Sequence, residues 1–464
     1  MLHRTVTPHD AAHSVALRQN PMLPPIRDLI RVGSRRWFLQ MGTAGLAGLS
    51  LPDLLRVQAA TAAAGKSNDK KSVILFWLSG GPSHLDMWDP KPEAPREIRG
   101  PYSTIGTRLP GVRFSEHLPL QAQMADKLSV IRSVDCSSSN HTPITMQAGN
   151  SLARRTNDGR DGGGYPSMGS VAAKYRGPNV PGMPGFVSLA ESWTSDVWEA
   201  GELGRDYAPV KGLEVADKLT MPEGLTLERL QDRQTLRRRF DDFSRKINDR
   251  GALADLDRHQ QSAYDMVLSG KVREAFDIAR EPAAMHDAYG HNSVGQKALL
   301  ARRLVEAGTS FVLVSGAWGY FDHHGDEVKW GGIEKGLTPL LPTIDRALTT
   351  LITDLETRGL LDSTLILMMG EFGRSPVMTQ TAGRGHWTNV MSMLVAGGGL
   401  RHGQVIGSTD DKGYGIASRR ITPEDLAATT FRHLGIPLDT HWTNPQGRPT
   451  AIVQNGGRPI RELG

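Results

Sequence analysis

Five short apolar runs recur along the chain: Ser72–Leu78, Leu128–Val134, Phe311–Val314, Ser363–Met369 and Val390–Ala396. Each has strand length and little polar alternation, the pattern of strands buried on both faces of a sheet. Segments with helical character lie between them: Leu118–Asp126, Pro166–Arg176, Asn292–Ala307 stopped by Gly308, and Leu337–Arg358 stopped by Gly359. Near the end, Thr422-Pro423-Glu424-Asp425 gives a cap, a proline and early acids, so a helix is predicted over Thr422–Leu434. Strands alternating with helices predict an α/β fold with much parallel pairing. From Leu225 to Gly308 the pattern is helical, with Leu225, Leu230, Leu236, Phe240 and Phe243 as its stripe. Residues 185–290 are therefore expected to form a largely helical insertion or cap.

The segments just past the strands are more telling than the strands themselves. Ligands of α/β sheets gather in the crevice beyond the carboxyl ends of the strands. Here the first run leads into Ser79-Gly80-Gly81-Pro82-Ser83-His84-Leu85-Asp86, and the second into Cys136-Ser137-Ser138-Ser139-Asn140-His141-Thr142-Pro143. The third delivers Asp322, His323 and His324 onto a loop, and the fourth runs into Gly370-Glu371-Phe372-Gly373-Arg374, with His386 following. Taken singly, each has an ordinary structural explanation: turn aspartates bind backbone amides, Ser and Thr cap helices, and Glu371 pairs with Arg374. Taken together, carboxylates and imidazoles at four strand ends suit a divalent ion such as Zn²⁺ or Mn²⁺. Asn140 or Thr142 is expected to cap a helix beginning at Pro143, placing a hydroxyl where an anion is favoured. Arg374 is expected to steady an anionic substrate as a planar fork, and His323 to be a bystander between Asp322 and His324.

Composition adjusts this picture in three places. With 464 residues, 39% hydrophobic and 22% charged, the chain has the balance of a globular protein of one large domain or two ordinary ones. The net charge of +5 is concentrated in residues 1–64, where seven Arg face three Asp, so it supports no nucleic-acid partner. That leader contains Ser34-Arg35-Arg36-Trp37-Phe38-Leu39-Gln40, close to a twin-arginine export signal. A weakly apolar Met41–Leu51, too short to span a bilayer, and small residues at Ala59–Ala64 come after it. Residues 1–64 are thus expected to be an export leader, engaging the twin-arginine translocase and sending the folded chain to the periplasm or beyond. No integral membrane span is expected in the mature chain. Cys136, the lone cysteine, rules out an intrachain disulfide.

Several motifs together resemble a known family. Gly80–Asp86, Ser115-Glu116-His117-Leu118-Pro119, the Trp-x-x-x-Asp-x-His element ending in Asp322 and His324, Gly370–Arg374, Gly-x-x-His-Trp around His386 and Thr422–Ile436 look like those of domain of unknown function 1501. That family is a twin-arginine-exported branch of the alkaline-phosphatase/sulfatase-like superfamily. The resemblance implies a three-layer α/β/α sandwich over residues 65–464. It also implies hydrolysis of phosphate or sulfate esters by one or two divalent ions (Zn, Mn, Ca or Mg) and a hydroxyl nucleophile. The expected substrate is an anionic ester, such as a sulfated or phosphorylated small molecule or glycan. Carried over by position, Asp322, His324 and His386 fit one ion, while Glu371 with Asp86 or His84 fits a second. Ser139 is the nucleophile position, Thr142 the alternative, and His141 the nearest imidazole. The chain departs from the superfamily at Ser79-Gly80, where an Asp is usual, and at Glu371-Phe372, where Asp-His is usual. Cys136 lacks the following Pro and Arg that formylglycine maturation needs.

Overall fold

All six residues of strand β1 (Ser72–Trp77) are buried, as its unbroken apolar run requires. The computed structural model describes residues 70–154, 161–218, 270–316, 319–325 and 331–464; the leader over 1–64 lies outside them. A small hairpin, β2 (Thr104–Gly106) with β3 (Arg113–Ser115), precedes β4 (Leu128–Val134). Then come β5 (Phe186–Leu189), β6 (Val210–Lys211), β7 (Phe311–Ser315), β8 (Thr364–Met369), β9 (Gly373–Met378), β10 (Arg384–Trp387), β11 (Met391–Gly397) and β12 (Gln404–Ile406).

The central sheet runs β12-β4-β11-β8-β1-β7-β5-β6, with β11 antiparallel to both its neighbours and every other pairing parallel. This is a mixed α/β fold with a mostly parallel sheet. Because side chains alternate across a strand, β1 feeds two cores. Ile74 and Phe76 pack with Leu299 and Leu304 of one helix, and with Leu348 and Leu351 of another. Val73, Leu75 and Trp77 join Met146, Val171, Leu426 and Phe431 on the opposite face. The helices among the described residues include α1 (Ile144–Ala148), α2 (Met168–Tyr175), α3 (Ser293–Ala307), α4 (Thr338–Thr357) and α5 (Pro423–His433). Asn292 caps α3 through the Gly295 amide, and Gly308 ends it at φ 114°. Thr422 and Asp425 form a reciprocal capping box on α5. Among the described residues, no helix is long and apolar enough to cross a membrane.

Two expectations change. The segment 185–290, read as a helical insertion, opens with β5, which pairs with β7, and β6, which pairs with β5 at the edge of the main sheet. Phe186–Leu189 is a fully buried four-residue strand, too short to stand out beside the long helical stripe that comes after it. Residues 219–269, which carry that stripe, lie outside the described residues. The second change concerns α1. It starts at Ile144 with no side-chain cap, and the Thr142 hydroxyl instead donates to Asn140 Oδ1 at 2.5 Å. A five-residue helix without a side-chain cap gives no basis for an anion site at its start.

The register sets where the chemistry gathers. Trp77 is level with both Ser315 and Met369, so β1, β7 and β8 leave the sheet together. Val134 at the end of β4 lies opposite Met391 at the start of β11. The loops after β1, β4, β7 and β8 therefore open on one edge.

Candidate metal centre

Loop backbone places the first residues of the site. Gly80, at φ +105°, lies so close beneath the β7 loop that a Cβ there would sit 2.5 Å from the Asp322 amide nitrogen. Only glycine adopts that conformation and that approach cheaply. Phe321 N–H donates to the Ser79 carbonyl at 2.8 Å, and Gly80 N–H to Glu371 Oε1 at 2.8 Å, so the β1 loop ties those after β7 and β8 together. On the hairpin of β9 and β10, His386 lies opposite Arg374.

The side chains converge on Asp322. His324 Nε2 lies 2.9 Å and His386 Nε2 3.0 Å from its Oδ1, while His141 Nε2 lies 3.5 Å from Oδ2. His141 Nδ1 is 2.8 Å from Glu371 Oε1. One ligand atom from each of His141, Asp322 and His386 lies within 4.8 Å of the others, a set able to hold a metal ion. Nitrogen and carboxylate oxygen donors suit a divalent ion of the zinc or manganese type. Two further observations fit a cation. Glu371 is buried, and its Oε2 has no hydrogen-bond partner among the described residues, a costly state for a carboxylate. His324 and His386 bring their Nε2 atoms within 2.9 Å, so one shared proton or cation must relieve their lone pairs.

Electrostatics follow from this crowding. Burial alone would raise the Asp322 carboxyl, but His141, His386 and Arg374 together hold it far below the carboxylate range. Burial lowers His141, and the opposing carboxylates of Asp322 and Glu371 prevail, lifting it to about 9. Burial, with Arg374 beside it, lowers His324. Phe372 packs its ring 4.7 Å from His386 and 5.5 Å from His141, forming an apolar wall on one side of the cluster.

Other expected residues are placed differently. Asp86 is fully buried, and Arg384 binds it through two guanidinium nitrogens, at 2.6 and 3.1 Å. Ser83 Oγ donates to it as well, at 2.5 Å. Its oxygens are thus taken up by Arg384 and Ser83, and it does not join the cluster in which it was expected as a ligand. His84 is also buried, with Nε2 on the Gly413 carbonyl at 3.0 Å, and it does not join the cluster. Arg374 is 1% exposed and bonds the carbonyls of Gly80, Gly81, Phe321 and Arg384 as well as Asp322. It fastens loops and Asp322 rather than offering a free fork to a substrate. Ser139 is buried, its hydroxyl directed at the Asn140 carbonyl at 3.4 Å; Thr142 is half-buried beside His141. No hydrogen bond among the described residues joins either hydroxyl to the cluster. His323 contributes its carbonyl to the Arg384 amide at 2.9 Å.

A family described as "Protein of unknown function (DUF1501)" matches residues 70–463. The chain belongs to this family. No curated protein matches the DUF1501 chain. Solved structures similar to it include the PsFucS1 sulfatase from Pseudoalteromonas sp., at 13% identity and TM-score 0.39, covering 82% of this chain and 70% of that one. Another is the phosphonate monoester hydrolase of Agrobacterium radiobacter, at 11% identity and TM-score 0.37, covering 85% of this chain and 77% of that one. A third is the phosphonate monoester hydrolase SpPMH from Silicibacter pomeroyi, at 12% and 0.34, covering 84% and 75%.

One residue of this DUF1501 chain escaped the sequence reading altogether. Asp196, wholly buried at the end of a four-residue helical turn, accepts from Ser79 Oγ at 2.5 Å and from Ser315 Oγ at 3.2 Å. Burial lifts its carboxyl to about 7, and nearby Glu371 pushes the same way. No motif or strand end marks it. In the sequence His141 is only the imidazole nearest a nucleophile position; the structure makes it part of the candidate ligand set.

Proposed function

We propose that this chain is an exported, metal-dependent hydrolase of phosphate or sulfate esters that uses a side-chain hydroxyl as nucleophile. The observation that carries the reading is the convergence of His141, Asp322 and His386 where four strand ends meet, with the unpartnered Glu371 Oε2 beside them. A divalent ion bound there supplies Lewis-acid polarisation of the ester oxygen. Asp322, His386 and His141 are its proposed holders, with His324 within reach of the same carboxylate oxygen. Glu371 orients His141 through Nδ1, as carboxylates commonly orient ligating imidazoles. Arg374 keeps Asp322 in place. Thr142 and Ser139 are the hydroxyls for attack: Thr142 adjoins His141 and is partly accessible, while Ser139 holds the position implied by the motif resemblance.

The remaining elements rest on the sequence. The Arg35-Arg36 leader supports export of the folded chain by the twin-arginine translocase into the periplasm or beyond. The motif set supports an anionic ester as substrate, a small molecule or a sulfated or phosphorylated glycan. Cores on both sheet faces support a three-layer sandwich. A specific observation favours a second reading, an exported ion- or ligand-binding protein without catalysis: among the described residues neither hydroxyl is hydrogen-bonded to the cluster, and Phe372 walls one side of it.

Assay of the purified protein with Mn²⁺ or Zn²⁺ on a panel of aryl phosphates and aryl sulfates separates the two. Turnover abolished by Thr142→Ala or by Ser139→Ala identifies the hydroxyl. Activity unaltered by both changes removes the nucleophile from the proposal, and absence of turnover on every ester favours the binding protein.

A further inference from the structure

The loops after β4, β7 and β8 and the hairpin of β9 and β10 must hold fixed relative positions for His141, Asp322, Glu371 and His386 to converge, and the pairing of the central sheet ends before His141, Asp322 and Glu371. Asp196 sits where the start of the β1 loop, the end of β7 and α1 can be held at once. Its Oδ1 takes the Ser79 hydroxyl just past β1, and its Oδ2 takes the Ser315 hydroxyl at the end of β7. Ser79 Oγ in turn accepts the Gly319 amide at 3.1 Å, and the Ser79 carbonyl accepts the Phe321 amide at 2.8 Å. Asp322 is the next residue. On the other side, the Asp196 carbonyl accepts from Gln147 Nε2 at 2.8 Å, and Gln147 Oε1 accepts the Trp198 amide at 2.8 Å. Gln147 is a buried residue of α1, the helix that comes after His141.

We propose that Asp196 is a positioning residue for the metal centre, holding Ser79 and through it the Gly319–Asp322 turn in the geometry that lets Asp322 meet His141 and His386. Among the described residues, its surroundings offer no competing structural partner of similar strength. Lys297, the nearest cation acting on it, is already bonded to Glu191 at 2.8 Å and to the Ser315 carbonyl at 2.6 Å. The Asp196 carboxylate thus spans the loops after β1 and β7 through hydroxyls alone.

The test uses the full chain with Asp196→Ala, Asp196→Asn and Ser79→Ala, and Asp345→Ala as a control. Asp345 is equally buried, receives the Leu120 and Gln121 amides, and lies away from the strand-end loops. Hydrogen exchange is followed in chelator-treated protein over peptides containing residues 79–86 and 319–325. Asp196→Ala and Ser79→Ala should speed exchange there by about tenfold, the loss of one buried hydrogen bond, while Asp196→Asn restores protection and Asp345→Ala leaves these peptides alone. Mn²⁺ titration should then show about 10–100-fold weaker binding in Asp196→Ala and Ser79→Ala, the range for residues that orient ligands. The double variant should be no weaker than the worse single one. The titration rests on the metal reading and the exchange does not. Unchanged exchange in both variants overturns the positioning role whatever Mn²⁺ does. Wild-type protein that binds no Mn²⁺ sinks the metal reading while exchange still decides this one. Ser79→Ala keeps the question open to refutation should Asp196→Ala fail to fold.

Discussion

Asp86 and Asp322 look alike in the sequence. Each is an aspartate on a glycine-containing loop just past the carboxyl end of an apolar strand, with histidines nearby. In the structure they serve opposite ends. Asp86 is sealed away and saturated by one guanidinium and one hydroxyl, so its charge is neutralised by a partner built into the fold. Asp322 keeps 14% of its side chain exposed, and besides Arg374 it is approached by three imidazoles whose charge depends on what they bind. The lesson is that a carboxylate at a strand end becomes a candidate ligand only when its partners are ones an ion could replace or recruit.

The contrast can be broken at its structural end first. Arg384→Ala strands a fully buried carboxylate, and unfolding by urea should show a loss of about 3–5 kcal/mol, with ion stoichiometry unchanged in the protein that remains folded. If ion binding collapses instead while stability holds, Asp86 belongs to the site after all. At the other end, Asp322→Asn keeps the shape and the ability to accept from Arg374. It should weaken Mn²⁺ binding by more than about 100-fold, beyond the range seen for orienting residues, and lower stability as well, because the buried Arg374 keeps its carbonyl partners but loses its carboxylate.

The two regions should also part in their response to pH. His141 is lifted to about 9 in the fold against an ordinary value of 6.5. A raised imidazole contributes stability that is complete below pH 6.5 and lost as pH rises through about 9. Chelator-treated protein should therefore weaken across that window, and His141→Gln should flatten the profile; an unchanged slope in the variant would assign the effect elsewhere. The smallest effect is expected at Phe372→His, which puts an imidazole beside His386 and His141. Mn²⁺ binding should tighten modestly, and a weaker site would mean that the apolar wall matters more than another donor.

Much of the fold was legible because it rests on local pattern. Continuous apolar runs mark β1, β4, β7, β8 and β11, Gly308 ends α3, and Thr422 with Asp425 caps α5. Strand direction was not, since burial on both faces says nothing about whether β11 runs with or against its neighbours. Of the site, Asp322, His324, Glu371 and His386 could be chosen from type and position alone. The commitment of Asp86 to Arg384, 298 residues away, could not, because a long-range ion pair leaves no periodicity. Asp196 was hidden for the same reason, in a turn whose only signal is its place in three dimensions.

The most direct measurement is the metal content, by elemental analysis, of protein purified without chelators in wild-type, Asp322→Asn/His386→Ala and Asp86→Asn forms. The expected result is at least one divalent ion per wild-type chain, none in the double variant, and wild-type content in folded Asp86→Asn. A metal-free wild-type chain, or a double variant that keeps its ion, would contradict the assignment of the centre to Asp322, His141 and His386.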